Sequence, residues 1–330
     1  MKILLISKGS IGQRHYLNLK KLVPRSIIKI LRTKNKNNKS SNEVNEEQAK
    51  FFNADLILIN SPASKHFYHY KKFYNQKKSF FIEKPIESSI KNINKSFLNK
   101  KNNFSMVGYV LRFDNILLEI KKLISEKKYG ETKLVDIKVG QYLPDWRINK
   151  DYTKSVSAQK KLGGGVLLEL SHEIDYTTWI FGFPKKIFGL TKKISNLKID
   201  VEDVATLIFE YPKKIIQISL DFLQQVPKME IKIVCERGTI YADLIKQKLT
   251  LFNKKSPNGK KIRFQKFKNS NEIYLYQMDF LLFKSFKNYQ PKFNSTKIFN
   301  QFSTINSAYK VLKLIDKIKS SNKKNKKIKV

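Results

Sequence analysis

One cysteine, Cys235, occurs in 330 residues, so no disulfide can close within the chain and no multi-cysteine zinc site can form. Such usage fits a reducing compartment, and a cytoplasmic location is expected. No apolar run approaches the roughly 18 residues that a membrane span needs. Met1-Lys2 is followed by only four apolar residues before Ser7 and Lys8, which is not the pattern of a signal peptide. Histidine is scarce: His15, His66, His69 and His172 are the only four. No metal is expected. Acids are scarce as well, 27 against 66 Lys and Arg, for a formal charge of +39. That excess would suit a nucleic-acid or anionic-surface binder. However, the lysines spread along the whole chain, accompany an excess of Asn and Ile, and far outnumber arginine, the better phosphate fork. A compositional drift toward AT-rich codons explains the charge, and no specific nucleic-acid partner is expected.

What is present suffices for two cores: 41% of residues are apolar, and the length suits two ordinary domains. Residues 2–7 form an apolar run of strand length, and a glycine turn at Lys8 to Gly12 follows. His15, Leu19 and Leu22 then recur at helical spacing up to Pro24. Further strands are predicted at 26–31, 56–59 and 79–83, with a polar stretch at 35–47 leading into a short helix and another helix near 64–75. Short buried strands alternating with helices predict a doubly wound parallel sheet. Beyond about residue 118 the pattern changes. Ile216, Ile218, Leu220 and Phe222 alternate with Gln217, Ser219 and Asp221, and Met229, Ile231, Ile233 and Cys235 alternate likewise. A period of two signals an antiparallel sheet with one polar face. Helices near 116–124, 172–180 and 297–318 are expected to cover its apolar face. The last of these carries Ile298, Phe302, Ile305, Tyr309 and Leu312 as a stripe.

The turn Ser7-Lys8-Gly9-Ser10-Ile11-Gly12 stands where a dinucleotide fingerprint would, between the first strand and the first helix. Gly9 would admit a pyrophosphate, Gly12 would let helix and strand approach, and the helix N-terminus would donate to phosphate. Ser7 occupies the place of the usual first glycine. The second strand ends Leu31-Arg32-Thr33-Lys34 with no acid for a ribose hydroxyl; Arg32 suits a 2′-phosphate, a lean toward NADP.

From Phe81-Ile82-Glu83-Lys84-Pro85 onward the chain resembles the glucose–fructose oxidoreductase / inositol dehydrogenase / MocA family (Gfo/Idh/MocA). Gly9 to Gly12 with Arg14-His15 looks like that family's cofactor turn, and Ser61-Pro62 with His66 like its segment under the cofactor. Gly108-Tyr109 with Leu111-Arg112-Phe113 looks like the entry to its second domain, and Gly163 to His172 like its glycine run into the catalytic helix. Gln141 to Arg147, then Asp151-Tyr152, resembles a subgroup associated with surface-sugar biosynthesis. The similarity runs in order to about residue 318.

The resemblance implies an N-terminal Rossmann domain over 1–118 and an α+β substrate and oligomerisation domain with an open, mainly antiparallel sheet over 119–318; residues 319–330, basic and with too little apolar matter to fold, are expected to be a flexible tail. The resemblance also implies NAD(P) as cofactor, a sugar, nucleotide sugar or polyol as substrate, and a homo-oligomer. Expected cofactor contacts are Gly9, Ser10, Ile11, Gly12, Arg32, Asn60, Ser61, Pro62, His66, Glu83 and Lys84. Expected substrate contacts are Arg112, Tyr142, Trp146, Arg147, Lys161 and Asp175.

Hydride transfer needs a positioned cofactor face, a cation or donor at the substrate oxygen and a proton acceptor. Lys84, at the end of a parallel strand, is the expected cation. His172, after a flexible triple glycine, is the expected acid/base. Glu169 precedes it by three residues, a helical neighbour able to orient the ring; the family's usual residue is an Asp four before the His. Three alternatives stay open: a non-redox NAD(P) sensor, a glycoside-cleaving enzyme using NAD transiently, and nucleic-acid binding through bulk charge.

Overall fold

The computed structural model describes residues 1–32, 41–75, 77–98, 103–147, 149–293 and 301–330. In chain order its regular elements begin with β1 (Lys2–Ile6), α1 (Ser10–Leu22), β2 (Ile27–Leu31), β3 (Glu43–Val44), α2 (Glu46–Phe51), β4 (Leu56–Ile59), α3 (His66–Phe73), β5 (Ser79–Ile82) and β6 (Phe104–Val107). There follow α4 (Asn115–Ser125), β7 (Thr132–Gly140), α5 (Val166–Glu169), α6 (Ser171–Phe181), β8 (Lys186–Lys192), β9 (Val204–Glu210), β10 (Ile215–Asp221) and β11 (Lys228–Cys235). The chain closes with β12 (Gly238–Asp243), β13 (Lys248–Asn253), β14 (Ser256–Lys261), α7 (Glu272–Ser285), α8 (Ile305–Lys324) and β15 (Ile328–Lys329). Among the described residues no helix is long and apolar enough to cross a membrane.

The chain divides into two units, 1–113 with 267–310, and 114–266 with 311–330. The first holds a six-stranded parallel sheet in the order β3-β2-β1-β4-β5-β6. Every residue of β4 and β5 is buried, as a sheet covered on both faces requires. The division corrects a single cut near 118. Helix α7 returns to the first unit, where Phe280 meets the rings of Phe104 and Phe113, and Asn271 exchanges amide hydrogen bonds with Asn18. Nothing in local periodicity marks such a return.

The second unit holds a nine-stranded sheet, β14-β13-β12-β11-β7-β10-β9-β8-β15, in which only β7 and β10 run parallel. Ile216, Ile218 and Leu220 of β10 point inward while Ile215 is exposed, the expected alternation. Helix α5 packs on β9 and β10, and α4 on α6. The other face is open, with Leu134, Ile215, Ile208 and Leu190 exposed on β7, β10, β9 and β8.

Two expectations about the C-terminal part are corrected. The last helix starts at Ile305, not near 297; Ser303 instead bridges to Val107 of β6, and Ile298 lies outside the described residues. Nor is 319–330 a free tail: α8 continues to Lys324, and β15 pairs with the edge strand β8. The Oγ of Ser321 accepts from the N–H of Gly189 (3.2 Å), Asn322 Oδ1 accepts from Thr191 N–H (3.0 Å), and Lys327 reaches Glu210 (2.6 Å). A segment poor in apolar residues is thus held by the unpaired backbone of a sheet edge.

Candidate functional site

In the first unit the expected cofactor contacts gather at the C-terminal ends of the parallel strands, where open α/β sheets receive ligands. Gly9 caps α1, and a side chain there would meet nothing within 4 Å, so the turn faces open space. At Gly12 an added Cβ would lie 2.6 Å from the Ser7 carbonyl oxygen and 3.4 Å from Asn60 Cβ, so only glycine permits this helix–strand approach. Ser7 adopts φ +71°, the left-handed conformation that the missing first glycine would supply. The fingerprint therefore keeps its backbone shape without its first glycine.

Asn60 follows β4 and is buried, yet neither its amide nitrogen nor its oxygen has a partner. A buried amide left unsatisfied costs roughly 1–3 kcal/mol. Its place beside Gly12, at a strand end, fits a ligand that supplies both a donor and an acceptor. A dinucleotide meets that description, with Gly9, Ser10, Ile11 and the half-buried Pro62 along the same edge.

Three expected cofactor contacts turn inward instead. The Glu83 carboxylate faces His15 Nε2 (2.6 Å) through one oxygen and accepts the Lys84 N–H (3.1 Å) through the other, leaving it a buried brace. His66 is 1% exposed, with Nδ1 2.7 Å from the Pro85 carbonyl and Nε2 2.6 Å from the Ser61 carbonyl. It ties two strand-end loops together and has no nitrogen left for a cofactor. Burial pulls its pKa down against two carbonyl partners that favour the charged ring. Ser61 Oγ lies 3.0 Å from Nδ1 of His69, whose pKa is pushed down to about 4 by burial and then by its neighbour His66.

Lys84 is half-buried and begins a cis peptide to Pro85. Arg32, at the end of β2, pairs with Glu43 of β3, an acid that no reading of the strand end alone could supply. Arg112 is buried in a 3-10 turn and donates to the Phe302 carbonyl (3.2 Å), so at least part of its guanidinium is structural. His15, which the resemblance placed in the cofactor turn, is fully buried and braces Glu83 instead, one helical turn after Gly12 on the same helix.

In the second unit the expected site residues lie between β7 and β8. The triple glycine is tight, not flexible: Gly163 and Gly165 have φ +87° and +104°, and a Cβ at Gly164 would come within 2.3 Å of the Val156 carbonyl. Gly165 lies against Glu202, whose carboxylate accepts from Leu167 N–H (3.3 Å). Glu169 ends α5 and His172 sits in α6, with Leu170 (φ −95°, ψ 33°) breaking the helix between them. The helical-neighbour argument for Glu169 does not carry across that break. Both side chains are half-buried. The other three histidines are sunk in the first unit, which leaves His172 as the accessible imidazole.

Asp175 is 1% exposed on α6, deeper than a surface contact would be. Tyr142 is half-buried, and Lys161 is exposed in a 3-10 turn. Trp146 donates its indole N–H to the Gln141 carbonyl (3.2 Å) and stands edge-on to Phe222. With Arg147, Pro144, Tyr152 and Ser157 it lines a cavity of about 300 Å³. Asp114 caps α4 by accepting from the N–H groups of Ile116 and Leu117, and burial pushes its carboxyl up to about 6. Among the described residues no group of three or more His, Cys, Asp or Glu is placed to hold a metal.

Comparison with known proteins adds an independent line. Residues 117–241 match the model of the GFO/IDH/MocA C-terminal domain. The chain is 29% identical over 140 residues to scyllo-inositol 2-dehydrogenase (NADP(+)) IolW of Bacillus subtilis, which covers 40% of this chain and 36% of that protein. The match thus spans little more than a third of this curated relative. Among solved structures, levoglucosan dehydrogenase in complex with NADH shares the fold at TM-score 0.79 and 15% identity, covering 100% of this chain and 99% of that one. The WlbA dehydrogenase of Bordetella pertussis, in complex with NADH and UDP-GlcNAcA, does so at TM-score 0.73 and 16% identity, covering 100% and 98%.

Proposed function

We propose, for a chain that belongs to the Gfo/Idh/MocA family, that it is an NAD(P)-dependent oxidoreductase acting on a CH–OH group of a sugar, polyol or nucleotide sugar. The observation that carries the reading is the buried, unpartnered amide of Asn60 beside Gly12, one strand from the end of β5 where Lys84 stands. When bound, the nicotinamide accepts or returns a hydride. The ammonium of Lys84 holds the substrate oxygen and stabilises its negative charge as the proton leaves. His172 takes that proton at a ring nitrogen and returns it in the reverse direction. Gly9, Ser10, Ile11 and Gly12 bind the pyrophosphate through backbone N–H groups, and Arg32 meets a 2′-phosphate, which supports acceptance of NADP. Trp146 and Arg147 line the substrate cavity, where an aromatic face and a guanidinium suit a sugar bearing an anionic group. The named ligands of IolW and WlbA support the same substrate class.

The test is turnover. The purified protein should change NAD(P)H absorbance with a member of an inositol, aldose and nucleotide-sugar panel, and Lys84→Ala and His172→Ala should each lower kcat by about 10²–10⁴-fold. Cofactor binding without turnover across the panel would favour a non-redox sensor, and full activity in both variants would sink the mechanism. The open face of the nine-stranded sheet supports self-association; Leu134→Glu should then lower the oligomeric state in sedimentation.

A further inference from the structure

Only seven of the 66 basic residues are arginines, so a guanidinium at the end of β2 stands out against the composition. Arg32 does not stand alone there. Glu43 on β3 is paired in register with Ile30, two residues before Arg32 and on the same face of the sheet. The Glu43 side chain is 6% exposed and that of Arg32 34%, so the carboxylate lies beneath a guanidinium that keeps part of its surface in water. A carboxylate engages at most two of the five guanidinium N–H donors at once, which leaves others for a ligand.

We propose that Glu43 is a specificity-determining residue that acts through Arg32, and that the pair sets the balance between NADP(H) and NAD(H). This rests on the dinucleotide reading above. An unpaired Arg32 would favour a 2′-phosphate by its full charge. Paired with Glu43, the guanidinium is neutralised: its remaining N–H groups still donate to the phosphate, but the carboxylate repels it. A 2′-hydroxyl feels no such repulsion and still accepts from a guanidinium N–H. The pair therefore admits both cofactors and holds the preference for NADP(H) well below what the arginine alone would give. Glu43 is a positioning residue here, and it touches neither the nicotinamide nor the substrate.

The experiment is calorimetric titration of the full chain with NAD⁺ and NADP⁺, and with 5′-AMP and adenosine 2′,5′-bisphosphate, which differ only in the 2′-phosphate. Glu43→Gln keeps the shape and removes the charge. It should raise the NADP⁺/NAD⁺ affinity ratio about tenfold or more, with the same shift for the two adenosine probes. Arg32→Gln should lower the ratio by a similar factor, and Glu43→Gln in that background should move it less than in the wild type. Because each ratio is measured within one protein, a general loss of stability cancels. A ratio unchanged by Glu43→Gln, or unchanged by Arg32→Gln, overturns the proposal while leaving the dinucleotide reading intact. A wild-type chain that binds none of the four probes overturns both.

Discussion

The two sheets of this protein treat their side chains in opposite ways. In the parallel sheet β4 and β5 are buried at every position, so no side chain along them is available to a ligand, and the residues that can meet one stand just past the strands: Asn60, Lys84 and, after β2, Arg32. In the nine-stranded sheet the strands alternate, one face is open, and the expected site residues lie on none of its strands but on the segment between β7 and β8. The difference follows from coverage. A sheet covered on both faces can offer only its ends, whereas a sheet covered on one face leaves its other surface for association.

The contrast predicts a hierarchy of mutational effects. Leu58→Ala, in the centre of β4 and 0% exposed, should cost about 2–5 kcal/mol in urea unfolding, while Leu134→Ala, 47% exposed on the open face, should stay within about 0.5 kcal/mol for the isolated protomer. Equal costs would mean that the open face is not open.

Asp114 opens the second unit, and its carboxyl is raised above its unfolded value, to about 6. Between the unfolded and folded pKa the native state holds more proton, so stability falls as pH rises through that window and the deficit is complete above about pH 6. Asp114→Asn keeps the acceptor for Ile116 and Leu117 but cannot ionise. It should match the wild type near pH 4 and exceed it by up to about 2–3 kcal/mol at pH 7.5. A gain that is the same at both pH values would refute the burial argument.

Gly12→Ala forces a Cβ against the Ser7 carbonyl and should cost about 1–3 kcal/mol. It should also weaken NAD(P)H binding, read by fluorescence titration, because α1 must move off the strand ends. Ser7→Gly relieves a left-handed serine and should stabilise by about 1 kcal/mol with no loss of cofactor affinity. Destabilisation by this change would show that the serine side chain has a role of its own.

The sequence by itself determined the two kinds of sheet, because hydrophobic period reports coverage directly: runs for β1, β4 and β5, alternation for β10 and β11. It also placed the glycine turn between β1 and α1, Lys84 just past a strand and His172 in a helix, since short motifs at strand and helix ends keep their spacing. Only the tertiary structure decided what those residues face. It turned Glu83 onto His15, placed His66 between two carbonyls, brought Glu43 under Arg32 and bound residues 319–330 to the edge of β8. Each of those is a polar contact between residues distant in sequence. Such a contact leaves no periodic trace, because one hydrogen bond needs one partner and not a repeating face.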